Sequence, residues 1–184
     1  MFSPTYNREI KWRGCRECNL HRTRGTVVLS RTGTIGISPR LRTLCIGEAP
    51  GETEDRTGYP FVGKAGRILN LILDRVTTPT HYCITNLVAC RPPGNREPTP
   101  PEIEICSPKL HQLQEVYQPH CIVYIGKTAR AFKTKLPTHL MLHPAVITRL
   151  EYPLVPVKEQ ALLLSRFLNA VLNNKDRKSS LYQP

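Results

Sequence analysis

Apolar residues follow two patterns along the chain, short continuous runs and longer stretches in which they recur at helical spacing. The runs predict buried strands, because each is only a few residues long and is closed by turn residues. Strands are predicted at about 42–47, 81–89, 120–125 and 138–142. Helices are predicted at about 64–76, 101–117, 127–135 and 157–172. The alternation predicts an α/β fold with three layers, in which helices cover both faces of a central, mostly parallel four-stranded sheet.

The remaining segments are polar, and none of them marks a boundary between domains. Residues 26–41 are predicted to be a connecting segment with at most one short strand. The tail from residue 173 onward is polar and is expected to fray. Because no internal repeat is present, residues 1–184 are predicted to form a single domain.

The loop after the first strand combines a sharp turn with several acidic residues. The apolar run Leu44–Ile46 ends in Gly47–Gly51, a Gly-Glu-Ala-Pro-Gly turn whose residues fix or free the backbone. Further on, Phe61 stands alone in a polar stretch, and Gly63–Gly66 lead into the next helix. In open α/β sheets, ligands bind beyond the carboxyl ends of the strands. This loop is therefore predicted to line a ligand site.

The charge of the chain favours a polyanionic partner. Lys and Arg together number 26 against 14 Asp and Glu, a net charge of +12. Such an excess usually indicates binding to nucleic acid, and the alternative is a merely basic protein. No apolar run approaches the roughly 20 residues that cross a bilayer, and the first residues lack the apolar core of a signal peptide. We expect a cytoplasmic, nucleoid-associated monomer.

The chain has seven cysteines, an odd number that argues for metal binding or buried thiols over a disulfide framework. Cys15 and Cys18 form a C-x-x-C pair, which is by itself a weak metal signal, and incidental thiols are the alternative. Four thiolates can hold a [4Fe–4S] cluster or a structural Zn²⁺. Three other cysteines lie inside apolar runs and are predicted to be core residues: Cys45, Cys83 and Cys121.

Three sequence blocks together resemble the family 4 uracil-DNA glycosylases, the iron–sulfur branch of that superfamily. The first block is Gly47–Gly51 with Gly58–Gly63, the second is Asn86–Asn95, and the third is the His-Pro-Ala of 143–145. The resemblance extends over roughly residues 10–172. It implies the uracil-DNA glycosylase fold and hydrolysis of the N-glycosidic bond of deoxyuridine in DNA, the first step of base-excision repair.

The resemblance also implies a cofactor and its ligands. Family 4 enzymes place four cysteines in the order seen here, and this correspondence assigns a [4Fe–4S] cluster to Cys15, Cys18, Cys90 and Cys106. By analogy, the cluster is structural and holds the loops that grip DNA. Zinc in the same position is the alternative.

The same resemblance implies roles for an amide and an imidazole. Asn86 would read the pairing edge of uracil, because an amide offers a donor and an acceptor together and cytosine presents the reverse pattern. The alternative for Asn86 is a turn cap. His143 would donate a hydrogen bond to uracil O2 and stabilise the charge that develops on the leaving base. Its alternative is a surface histidine beside a proline.

The sequence does not decide which residue positions the attacking water. Ala49 occupies the place where the best-known branch has a water-activating Asp, so Glu48, Glu54 and Asp55 compete for the role. Glu48 could also stabilise a cationic sugar. Phe61 is expected to stack on the extruded base, with a loop anchor as its alternative. The residues implied to line the base pocket are Glu48, Ala49, Pro50, Glu54, Phe61, Asn86 and His143.

Basic and apolar residues around these loops are expected to contact DNA. The predicted phosphate contacts are Lys64, Arg91, Arg96 and Arg149, and Val146 with Ile147 is predicted to fill the gap left by a flipped base. Two other functions stay open. Gly51 replaces the bulky residue that excludes thymine in other branches, so a different deaminated or modified base is possible. A catalytically inactive DNA-binding or recruitment module on the same fold is the second.

Overall fold

The computed structural model describes residues 12–150 and 152–180, with side chains as far as residue 174. Within these residues a five-stranded sheet forms the centre of the protein. Its strands are β1 (Arg31–Ile35), β2 (Leu41–Gly47), β3 (Thr80–Asn86), β4 (Cys121–Ile125) and β5 (Thr138–Met141). The helices are α1 (Glu52–Thr57), α2 (Lys64–Leu73), α3 (Pro100–Tyr117), α4 (Pro144–Ile147) and α5 (Leu154–Ser180). Short 3₁₀ turns lie at Asn19–Arg22, Pro93–Asn95 and Thr128–Ala131.

The strand order is β1-β3-β2-β4-β5, and four of the strands run parallel. The fifth, β1, pairs antiparallel with β3 from Arg31 opposite Ile84 to Ile35 opposite Thr80. The sequence predicted four strands with bounds and allowed a short strand within residues 26–41, where β1 lies. The bounds of β1 could not be predicted, because an edge strand with a partly exposed, mixed sequence has no continuous apolar run. The carboxyl ends of β2, β3, β4 and β5 consequently lie at one edge of the sheet.

The core occupies both faces of the sheet, which confirms the predicted three-layer α/β/α arrangement. On one face Cys45 and Val123 pack with residues of α2 and α5, including Leu69 and Leu164. On the other face the strands pack against Leu110 and Leu113 of α3, in a cluster that also contains Leu44, Ile46, Cys83 and Ile122. Cys45, Cys83 and Cys121 are all fully buried, as predicted, and burial raises the pKa of Cys121 to about 11.

Several helix boundaries differ from the prediction. The last helix begins at Leu154 and continues to Ser180, where a frayed tail was expected from residue 173, because residues 173–180 contain no Gly or Pro to stop it. The basic helix predicted at 127–135 is a single 3₁₀ turn. Among the described residues, no helix combines the length and the apolar character required to span a membrane.

Two short helices lie in segments that were predicted as loops. Helix α1 starts directly after Gly51, carries three acidic residues in its first turn, and ends at Gly58 with φ of 78°. Acidic residues are favoured at this end of a helix because they face its unpaired backbone N–H groups. Helix α4 is a single turn that starts at Pro144. Both helices lie beyond the carboxyl ends of parallel strands, where they shape the candidate site.

The start of α3 is tied by one carboxylate to the proline-rich loop of residues 91–99. Thr99 and Glu102 form a capping box, in which the Thr99 N–H donates to Glu102 Oε2 at 2.8 Å. The Arg96 guanidinium donates to both oxygens of Glu102, at 2.9 and 2.7 Å. These contacts, led by the Arg96 hydrogen bond, lower the pKa of Glu102 to about 2.

This depressed pKa predicts a pH-dependent contribution to stability. The contribution of Glu102 should be complete above its unfolded pKa of about 4.3 and should be lost as the pH falls toward 2. We therefore expect Glu102→Gln to lower the Tm at neutral pH, and we expect its difference from the parent protein to shrink between pH 5 and pH 2. Glu104→Gln, at an exposed position of the same helix, is the control. A Tm difference that does not change with pH would contradict this account.

Candidate active site and cysteine cluster

A glycine at the end of β2 brings an aromatic ring and an amide together. A Cβ on Gly47 would collide with the Phe61 ring and would lie 2.5 Å from Asn86 Oδ1. Gly47 and Asn86 are register partners at the carboxyl ends of β2 and β3. The lack of a side chain at Gly47 therefore allows Phe61 and Asn86, 25 residues apart in the sequence, to meet at this edge of the sheet.

The amide of Asn86 is buried and its oxygen is unpaired. Asn86 is 4% exposed, and within the described part of the chain Oδ1 has no hydrogen-bond partner. No hydrogen bond of this oxygen to a turn is present there, so it does not act as a turn cap. A buried acceptor without a partner is costly, because it has lost its hydrogen bonds to water. A ligand that donates a hydrogen bond at this point would remove that cost.

His143 reaches the same edge from β5 with a defined tautomer. It is the N-cap of α4, and its Nδ1 accepts from the Ala145 N–H at 3.2 Å. In the neutral ring the proton therefore lies on Nε2, which is left as a donor. His143 also packs against the end of β4, since a Cβ on Gly126 would lie 3.1 Å from its Cβ and Cδ2. Burial lowers the pKa of His143, and the charge of Glu48 partly opposes this shift.

Glu48 provides a half-buried carboxylate beside His143. It follows β2 directly, and the turn that carries it is held to the chain after β3 by two backbone hydrogen bonds, Leu87 N–H to Gly47 O at 2.9 Å and Val88 N–H to Glu48 O at 3.3 Å. Ala49 is half-buried against an apolar cluster that contains Cys90 and Cys106, and Pro50 is buried. The turn therefore links the edge of the sheet to the cysteines.

The other two candidate carboxylates hold backbone segments. Glu54 Oε1 accepts from the Val62 and Gly63 N–H groups at 2.9 and 2.7 Å, which fixes the loop that carries Phe61. Asp55 accepts from the Gly25 N–H through both oxygens, at 2.9 and 2.8 Å, and from the Thr26 N–H at 3.2 Å. Both side chains are buried, so Glu48 is the candidate carboxylate whose side chain is left for chemistry.

Three of the four cysteines that were predicted to bind a cluster lie in one apolar group. Cys90 and Cys106 are buried and pack with the half-buried Cys18. Burial raises the pKa of Cys90 to about 11, with smaller upward contributions from Cys106 and Cys18. Burial likewise raises the pKa of Cys106, and negative charge on Cys18 and Cys15 would raise it further. Among the described residues, no three Cys, His, Asp or Glu side chains are arranged to hold a metal ion.

Two cationic side chains flank these sulfurs. Arg24 Nη1 donates to the Cys15 carbonyl at 2.6 Å and to Cys90 Sγ at 3.4 Å. Lys109 Nζ lies 3.7 Å from Cys106 Sγ and 4.6 Å from the centre of the Trp12 ring. Burial lowers the pKa of Lys109, but the sulfurs of Cys106 and Cys15 offset this and the net shift is upward. The two cations therefore offset part of the cost that burial imposes on a thiolate at Cys90 and Cys106.

Some of the residues predicted to contact DNA are exposed, and others have partners within the protein. Lys64 and Arg149 are exposed, and Val146 is 49% exposed on α4. Ile147 is fully buried in the core, so its predicted part in filling the gap left by a flipped base is wrong.

Both arginines of the proline-rich loop have partners within the protein. Arg96 is held by Glu102 at 2.7 Å. Arg91 donates to Asn95 Oδ1 at 2.7 Å and lies 3.9 Å from Glu52 Oε2. These contacts give Arg96 a structural role in the loop.

Comparison with known families decides what kind of protein this is. Residues 36–180 match the family described as Uracil DNA glycosylase superfamily. This chain belongs to that superfamily. The resemblance inferred from the three sequence blocks is thereby confirmed.

Several curated members of the superfamily are similar to this chain. The type-4 uracil-DNA glycosylase of Archaeoglobus fulgidus is 40% identical over 119 residues, 64% of this chain and 57% of that protein. That of Thermotoga maritima is 41% identical over 119 residues, 64% of this chain and 59% of that protein. That of Saccharolobus solfataricus is 38% identical over 125 residues, 67% of this chain and 56% of that protein. The chain thus spans less than two thirds of the length of these relatives.

Within this superfamily fold, sequence reasoning missed three cationic residues at the site. Arg24 and Lys109 lie beside the cysteines, and Arg31 holds the loop of Phe61 through the Pro60 carbonyl at 2.9 Å. Lys109 could have been found, because it follows Cys106 by three residues on one helix and so shares its face. Arg24 and Arg31 contact residues far away in the sequence, and no local pattern indicates them.

Proposed function

We propose that this protein is a DNA glycosylase that hydrolyses the N-glycosidic bond of deoxyuridine in DNA, the step that starts base-excision repair. One observation carries the proposal: the Asn86 amide, the Phe61 ring and the His143 imidazole lie with Glu48 at one edge of the sheet. Each group meets a different requirement of the reaction. Asn86 would recognise the base, Phe61 would stack on it, His143 would stabilise the leaving base, and Glu48 would assist the attack by water. The type-4 uracil-DNA glycosylase names of the relatives support the same substrate.

Recognition of uracil would rest on Asn86. The unpaired Oδ1 can accept from N3–H of uracil, and the amide nitrogen can donate to O4. Cytosine has an acceptor at N3 and a donor at N4, so the same orientation of the amide would leave both pairs mismatched. The Phe61 ring, which contacts the same Gly47 position, would stack on the base after it has left the helix.

Bond cleavage would use His143 and Glu48. As the bond from N1 to C1′ breaks, its electron pair stays with the base, and the Nε2–H of His143 can donate to O2 where charge collects. Water then adds to C1′, and its proton is lost toward the carboxylate of Glu48. That carboxylate is half-buried, and its charge already acts on the pKa of His143. The uracil anion then takes up a proton at N1, which balances the proton that the water lost, and the products are free uracil and an abasic sugar.

The range of bases depends on the space beside Gly51. The family resemblance places Gly51 where other branches carry a bulky residue against the C5 methyl group of thymine. A Cβ on Gly51 would lie 2.8 Å from Glu54 Oε2, so Glu54 already fills this space. We propose that Glu54 forms the wall of the pocket there and that thymine is excluded.

A [4Fe–4S] cluster is the cofactor that the cysteines fit best. Cys18, Cys90 and Cys106 pack in one cluster, and the Lys109 ammonium interacts with both Cys106 and Cys15. Arg24, 3.4 Å from Cys90 Sγ, and the Ala89 N–H, 3.4 Å from Cys106 Sγ, add further positive groups. When bound, the cluster would supply cross-links, without taking part in the reaction. Its proposed ligands, which come from the N-terminal segment, the loop after Asn86 and α3, are Cys15, Cys18, Cys90 and Cys106. Tetrahedral zinc would use the same thiolates.

Removal of one cysteine is expected to release the metal. Cys90→Ser should abolish iron content and absorbance at roughly 400 nm, and it should lower the Tm. Cys83→Ala, a change in a separate core cluster, should retain the iron. If the parent protein is colourless and contains zinc, the metal at this site is zinc and not an iron–sulfur cluster. Full iron content in Cys90→Ser would exclude Cys90 as a ligand.

The direct test of the function is release of free uracil. A labelled oligonucleotide with a single uracil is incubated with the protein and then treated with alkali, which cleaves the strand at abasic sites. We expect cleavage at the uracil, and none in matched oligonucleotides that carry cytosine or thymine at that position. Absence of cleavage by protein that contains its metal would overturn the proposed function.

A further inference from the structure

We propose that Arg31 is a positioning residue for base stacking, whose guanidinium holds the Pro60–Phe61 peptide so that the Phe61 ring faces the site. This inference rests on the proposed function, because it assigns Phe61 to a flipped base. Arg31 itself would touch neither base nor phosphate, since it is 5% exposed.

The contacts of Arg31 connect three parts of the structure. It is the first residue of β1, and its Nε donates to the Pro60 carbonyl at 2.9 Å. Its Nη2 donates to Asn70 Oδ1 on α2 at 2.9 Å. A buried guanidinium is costly unless its donors are satisfied, so the arrangement is specific to these partners. Arg31 thereby ties the loop before Phe61 to both the edge strand and α2.

The backbone of Phe61 is in a conformation that must be held. Its φ is 55°, in the left-handed region that a residue with a side chain adopts only at an energetic cost. Glu54 binds the N–H groups of Val62 and Gly63 on the following side. Gly66 lies so close that a Cβ there would collide with the Phe61 carbonyl. On the preceding side, the Pro60 carbonyl is held by Arg31.

Loss of the Arg31 contact would therefore act on the direction of the ring. Without it, the peptide between Pro60 and Phe61 can rotate toward ordinary negative φ, and the ring would leave its place against Gly47 and Asn86. Stacking is present both before and during bond cleavage, so its loss weakens binding in the two states equally. The expected signature is a raised KM with kcat nearly unchanged. A general loss of folding would instead lower the fraction of active protein, and hence the apparent kcat.

The test uses steady-state kinetics of uracil release from the single-uracil oligonucleotide with Arg31→Met. We expect KM to rise roughly 10-fold, the range of one base stacked on an aromatic ring, with kcat within about 3-fold of the parent. Arg31→Lys should not restore KM, since one ammonium cannot replace the two-pronged contact. In Arg31→Ala, added guanidinium should lower KM again, while the same concentration of sodium chloride should not. Arg75→Met, at an exposed arginine at the end of α2, is the matched control.

A double-mutant cycle identifies Phe61 as the group through which Arg31 acts. When Phe61→Ala has removed the ring, Arg31→Met should raise KM no further. Additive effects, an unchanged KM in Arg31→Met, or a fall in kcat alone would overturn the inference. If Arg31→Met does not fold, Asn70→Ala tests the inference instead. It removes one partner of Arg31 and should raise KM by less than the roughly 10-fold expected for Arg31→Met. Failure of the parent protein to release uracil would be a failure of the proposed function, and it is seen before any variant is measured.

Discussion

Replacement of Asn86 by leucine, which has nearly the same shape, is expected to reduce uracil release by at least about 100-fold and to leave the Tm unchanged or higher. Activity should fall because leucine can neither accept from N3–H nor donate to O4 of the base. Stability should not fall, because Asn86 Oδ1 has no hydrogen-bond partner among the described residues, and the substitution removes a buried group that costs free energy. Alkali cleavage assays and thermal melts measure the two effects on the same samples.

The combination separates function from structure. A residue that serves the fold would lose activity and Tm together, so a clear drop in the Tm of Asn86→Leu would contradict the assignment. Asn169→Leu, at an exposed position of α5, is the matched control and should keep full activity. If Asn86→Leu released uracil at the parent rate, base reading would have to be assigned to another residue.

Replacement of His143 by alanine is expected to lower kcat by roughly 10²–10³-fold, the usual effect of removing one donor from a developing negative charge. His143→Gln should retain part of the rate, because its amide can still donate toward uracil O2. KM should change little for either variant, since the hydrogen bond gains most of its strength as the bond breaks. His81→Ala, an exposed histidine near the amino end of β3, should behave as the parent protein.

The pH dependence follows from the same geometry. Burial lowers the pKa of His143 below its ordinary value of about 6.5, so the neutral ring persists to more acidic pH than a free imidazole would. Protonation would break the Ala145 N–H to Nδ1 bond and release the ring from its position. We expect the rate to stay level as pH falls to about 6.5 and to decline below it, and we expect His143→Gln to lack this decline. Loss of activity that begins well above that pH would contradict a lowered pKa.

The sequence predicted strands best where a short apolar run is closed by turn residues. Strands β2 and β4 lie within one residue of their predicted bounds, because a strand buried on both faces is a continuous apolar run. Strand β1 could be anticipated only as a short strand somewhere within residues 26–41, since at the edge of the sheet it is only partly buried and its sequence is mixed. Helix α1 was missed because its acidic first turn follows a glycine and resembles a polar loop.

The candidate site was predicted only in part. Asn86, Phe61 and His143 were identified as candidates through short blocks that match a family, and the structure brings Asn86 and Phe61 together at Gly47. The competition among three carboxylates could not be resolved from the sequence, because it depends on which backbone N–H groups Glu54 and Asp55 reach. Those N–H groups belong to loops that fold back onto α1, and the spacing of residues in the sequence does not predict this contact.

Helix α1 has only six residues, yet two neighbouring side chains on it hold different parts of the protein. Glu54 binds the loop around Phe61, and Asp55 binds the segment that follows Cys15 and Cys18. Successive residues of an α-helix point about 100° apart. A single residue inserted between Glu54 and Asp55 would therefore turn one carboxylate away from its partner while leaving the other in place. The length of α1 should consequently resist change more strongly than its exposed residues do, and alterations in the length of the chain should accumulate in the surface loops instead.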